Sequence, residues 1–91
     1  MRTNGNDNTV PAPARQTAAT AYAEHRRNVT AMVDWLESEL EAHAEKQRGD
    51  ARNWGFVGDL VEVEASVKRA LAHLSGMSFE RIDQALAELD A

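Results

Sequence analysis

No glycine or proline interrupts the chain from about Thr17 to Gln47, and Tyr22, His25, Val29, Met32, Leu36, Leu40 and His43 recur there at steps of three and four. That spacing lays them along one face of a helix, which Val33 widens. Asp34, Glu37, Glu39, Glu41 and Glu45 crowd the remaining surface with no Lys or Arg between them. Asn28, Val29 and Thr30 are weak helix formers and mark the place for a bend. Gly49 fits a helix stop.

A polar, glycine-bearing connection, Arg48 to Gly55, follows, with Asn53 placed to cap the next helix. From about Trp54 to Ser75 a second stripe runs through Phe56, Leu60, Val63, Val67, Ala70 and Leu74, flanked by Val57, Val61 and Leu71. This apolar face is wider than one neighbouring helix covers. Gly76 reads as a left-handed C-terminal cap, and Ser78 caps a third helix from Phe79 to about Leu89. Met77 and Ile82 flank that cap as a hydrophobic staple, and Phe79, Ile82, Leu86 and Leu89 form the third stripe.

The pattern predicts an all-α fold. A long helix folds back on an antiparallel second helix and a short third one, as a helical hairpin or three-helix bundle. A reversal at residues 48–55 sets Leu36 opposite Val67, Leu40 opposite Val63 and His43 opposite Leu60. Residues 1–15, rich in Asn, Gly and Thr with two prolines, have too little apolar surface to offset their ordering entropy. They read as a flexible tail ahead of a single helical domain over residues 16–91.

Length limits what such a domain can do alone. About 76 ordered residues gain on the order of 110 kcal/mol from apolar burial at ~25 cal/mol/Å². Ordering them at ~1.5 kcal/mol each costs about the same. A homodimer is therefore expected. Ninety-one residues, 43% hydrophobic and 27% charged, are too few for a multidomain enzyme and are typical of a water-exposed helical protein. No apolar run is long enough for a signal-peptide core or a membrane span, so a cytoplasmic protein without a membrane partner is expected.

The formal charge is −5, and residues 54–91 carry most of it, with seven acids against three bases. Acidic surfaces repel phosphate, which disfavours nucleic acid and leaves basic protein partners open. Without cysteine there is no thiol chemistry and no sulfur-ligated zinc. The three histidines do not converge within one subunit, and the carboxylates of the first helix face solvent. No catalytic residue, metal or cofactor is expected.

Trp54-Gly-Phe-Val-Gly58 is less ordinary. Two aromatic rings, two glycines and Asp59 gather at a helix start. Either Gly55 and Gly58 let Trp54 and Phe56 pack tightly beneath the loop, or the rings are a partner-binding hot spot. Asp59, Glu62 and Glu64 read as complements of the helix dipole. The candidate partner-binding residues are Trp54, Phe56 and Asp59 at the bend, with Glu37, Glu41 and Glu45 on the acidic helix.

Two further readings stand beside this noncatalytic interaction module. Leu71-Ala72, Gly76, Ser78 and Ile82 have the spacing of a DNA-binding helix-turn-helix over residues 71–86, although Glu80 and Asp83 occupy positions where Arg and Lys would neutralise phosphate. The acidic first helix also suits an inhibitor that imitates nucleic acid.

Asn53-Trp-Gly-Phe-Val-Gly-Asp-Leu60, with Val63 and Leu71-Ala-His-Leu74, resembles a segment of small uncharacterised proteobacterial helical proteins carried on plasmids and integrated elements. The resemblance covers residues 53–74. It implies a bacterial accessory protein and no catalytic residues.

Overall fold

The computed structural model describes residues 17–89, so the expected tail at residues 1–15 lies outside the described residues. Among these residues the chain is all-α. It has three helices, α1 (Ala18–Arg48), α2 (Trp54–Ser75) and α3 (Phe79–Leu89), and no strand. Among the described residues no helix is long and apolar enough to cross a membrane. The chain divides into two compact units between Ala42 and His43, inside α1.

The first unit contains α1 from its start to Ala42. Thr17 caps it. Its Oγ1 accepts from the Thr20 amide at 3.1 Å, and the Thr17 amide donates back to Thr20 Oγ1 at 3.2 Å. The two hydroxyls also bond each other. This is the reciprocal capping box, with Thr20 in the place usually held by Glu or Gln. Residues 28–30, where a bend is expected, lie within the unbroken helix. Thr30 Oγ1 donates to the Arg26 carbonyl at 2.9 Å, a back-bond of the kind that often bends helices. No side chain of α1 is buried.

The second unit holds the last turns of α1, then α2 and α3. Lys46 and Arg48 close α1 with positive charge at its carbonyl end. The helix does stop before Gly49, but by a different device than a left-handed cap. The Gly49 and Asp50 amides donate to the Lys46 and Gln47 carbonyls in tight four-residue turns, and among described glycines only Gly76 has positive φ.

Asn53, extended at φ −82° and ψ 107°, caps α2 by accepting from the Gly55 amide at 2.8 Å. At the other end Gly76 takes φ 75° and donates to the Ala72 carbonyl at 2.9 Å. Ser78 Oγ then accepts from the Arg81 amide at 3.1 Å, starting α3. Met77 is half-buried before that cap, and Ile82, four residues beyond it, is 2% exposed. Ile82 is the one buried side chain among the described residues.

The third helix meets an edge of α2 that the apolar stripe did not indicate. In the second half of α2 the half-buried positions are Ala65, Lys68 and Ala72, while Val67, Leu71 and Leu74 stay exposed. Lys68 explains the difference. Its stem lies across the seam, its Nζ pairs with Asp83 Oδ1 at 2.7 Å, and the same ammonium sits 5.8 Å from the centre of the Phe79 ring. A lysine that the pattern counts as polar thus joins α2 to α3 through an ion pair and a ring contact.

Candidate functional site

The bend between α1 and α2 separates the two aromatic residues that the sequence places together. Phe56 turns inward, half-buried, and meets the His43 ring edge-on, with centroids 5.4 Å apart and planes at 84°. Trp54 turns outward and is 80% exposed. Both sit on backbone fixed by the Asn53 cap. Asn53 Nδ2 also donates to Asp50 Oδ2 at 3.1 Å, and its amide donates to the Asp50 carbonyl, so the turn before α2 is braced from both sides. A shallow recess of about 260 Å³ lies beside Trp54, lined by Ala51, Arg52, Asn53, Trp54 and Val57.

The glycines of this segment differ in role. A Cβ on Gly55 would stand 3.0 Å from Asn53 Oδ1, so a side chain there crowds the capping oxygen, which must give by a few tenths of an ångström. Gly58 faces open space, with nothing within 4 Å of an added Cβ. It leaves bare helix backbone next to Trp54, Val57 and Val61, all three exposed.

Asp59 does not act as a helix-dipole complement. The first turn of α2 contains no acid, and Asp59, one turn later, bonds His43 Nε2 at 3.1 Å. The register expected at the reversal set His43 against Leu60. The observed partner is one residue earlier, because the polar Asp59 answers the imidazole that the apolar Leu60 could not. His43 thus gathers Phe56 and Asp59, and these two candidates hold the bend in place.

The acidic candidates are spread over the two units. Glu37 and Glu41 belong to the first, and no ion pair joins either to a described residue. Glu45 belongs to the second and is held by Arg48 at 2.8 Å. Trp35, which the stripe of α1 passes over, is a residue the periodicity missed. It is exposed, and its Nε1 donates to Glu39 Oε2 at 3.0 Å. Lys68 was missed as well. Bonding to Asp83 holds its ammonium above the usual lysine range, against a smaller opposing effect of desolvation.

On α3, Ser78, Glu80, Arg81, Asp83 and Gln84 line an open hollow of about 410 Å³. One base stands there against two acids, and Asp83 is engaged by Lys68. No protein-family model, curated protein or solved structure matches the chain.

Proposed function

We propose that the chain is a noncatalytic interaction module of a bacterial accessory element. It acts in the cytoplasm as a helical homodimer and docks a protein partner at the bend. The observation that carries this reading is Trp54, a large aromatic side chain left 80% exposed on a backbone that the Asn53 cap makes rigid. An indole in water gains most from a partner that covers it, and a rigid anchor loses little entropy when it is covered. Phe56 and Asp59, both meeting His43, brace the reversal beside it. Exposed Glu41, with the −5 charge of the chain, favours a basic partner.

The test is copurification from a bacterial host with tagged wild type and tagged Trp54→Ala, each checked for helicity by circular dichroism. The module reading expects a protein that coelutes with wild type and is lost with the variant. A partner retained equally by a folded Trp54→Ala contradicts docking at the bend.

A second reading has one specific observation in its favour. The left-handed Gly76, the Ser78 cap, half-buried Ala72 and buried Ile82 fit the spacing of a helix-turn-helix over residues 71–86, while Leu71 is exposed. That reading makes the chain a DNA-linked regulator reading a site with Ser78 to Gln84. It requires a mobility shift of neighbouring promoter DNA that weakens steeply with salt, and no shift at low salt removes it.

A further inference from the structure

The homodimer just proposed needs a surface, and α1 carries one whose spacing is symmetric end to end. Tyr22, Val29, Met32, Val33 and Leu40 are between 41% and 70% exposed on a 31-residue helix that buries no side chain. The stripe reads the same in both directions about the point between Met32 and Val33. Reversing the helix there brings Met32 level with Val33, Val29 with Leu36 and His25 with Leu40. An isologous two-fold contact requires this, since each position must suit its mirror position on the other copy.

Charge selects the orientation. The stretch from residue 18 to 33 holds Arg26 and Arg27 against Glu24, whereas the stretch from 34 to 45 holds five acids and no base. A parallel pair would lay each acidic stretch beside its own copy, at a repulsive cost. An antiparallel pair lays it beside the basic one. Arg26 and Glu37 are eleven positions apart, close to three helical turns, so they edge the stripe on the same side. Antiparallel two-fold pairing sets like edges together and brings Arg26 of each copy to Glu37 of the other, twice per dimer. Among the described residues no ion pair already ties either side chain to its own chain.

We infer that α1 is the dimerisation helix and pairs antiparallel with a second copy of this chain, about a two-fold axis between Met32 and Val33, with Arg26 facing Glu37. This geometry rests on the homodimer reading, and single thiols separate the two. The chain has no cysteine, so Val33→Cys and Tyr22→Cys each introduce one. Near the axis, the two thiols that Val33→Cys introduces meet and oxidise in air to a covalent dimer. In Tyr22→Cys the two thiols stand roughly 30 Å apart and do not. A disulfide in Tyr22→Cys overturns the antiparallel geometry and leaves the homodimer standing. No covalent dimer from either variant, with both folded by circular dichroism and monomeric by mass, overturns both. Independently, Arg26→Glu and Glu37→Arg each weaken dimerisation by roughly tenfold, and the double swap restores it. Failure of the folded double swap to restore it overturns the Arg26–Glu37 pairing.

Discussion

His43 Nε2 and Asp59 Oδ2, sixteen positions apart, lie 3.1 Å from each other and join the last turns of α1 to the second turn of α2. With the edge contact between His43 and Phe56, this pair ties the two arms of the reversal together. Asp59 is largely in solvent, so the hydrogen bond alone contributes modestly. Asp59→Asn should cost about 0.5 kcal/mol, and His43→Ala, which also removes the ring contact, about 1–2 kcal/mol. A double-mutant cycle read by urea denaturation should give a coupling of a few tenths of a kcal/mol; strict additivity would mean that the pair contributes nothing.

Two glycines with open surroundings, one inside α2 and one capping it, should respond with opposite sign. Gly76 has φ 75°, so Gly76→Ala strains the backbone and should destabilise by about 1 kcal/mol. Gly58 is an ordinary helix position with room for a methyl group, so Gly58→Ala should stabilise by about 0.5–1 kcal/mol. Urea midpoints at unchanged slope measure both.

Ile82 and Leu89 share one stripe but not one environment. Ile82 is 2% exposed and Leu89 is 80% exposed. Ile82→Ala should cost roughly 2–4 kcal/mol and melt α3, whereas Leu89→Ala should stay within about 0.5 kcal/mol of wild type. Thermal unfolding followed at 222 nm distinguishes them. Equal losses would mean that α3 has no anchored point.

Lys68 predicts an alkaline limb in the stability curve. Its pKa is raised from the ordinary 10.5, first by the hydrogen bond to Asp83 and further by the charges of Asp83 and Glu64, against desolvation. The folded state holds this proton more tightly than the unfolded chain. The resulting stability is therefore fully present below pH 10.5 and is lost as pH rises through the raised value. Wild type should lose stability relative to Lys68→Met across that window, and parallel curves would contradict the pairing.

The helix boundaries were legible because they are punctuated by residues with fixed local chemistry: Asn53, Gly76 and Ser78 act from their own backbone neighbourhood. The bend was legible only as a cluster. Sequence placed Trp54 and Phe56 together, but one faces water and the other His43, because positions two apart on a helix point to nearly opposite sides. Asp59 looked like a dipole complement for want of a visible partner sixteen positions away. The α2–α3 seam was hidden for a related reason. A stripe drawn from apolar residues passes over Lys68, whose stem packs and whose charge finds Asp83, and over the small Ala65 and Ala72. Trp35 escaped because it lies off the stripe and is satisfied by Glu39.

This chain works, on the reading proposed above, by association through side chains it leaves exposed. Sedimentation equilibrium of the full chain over a hundredfold range of concentration tests that claim most directly. The predicted result is a mass approaching twice 10.0 kDa as concentration rises. A mass that stays at 10.0 kDa throughout would contradict it.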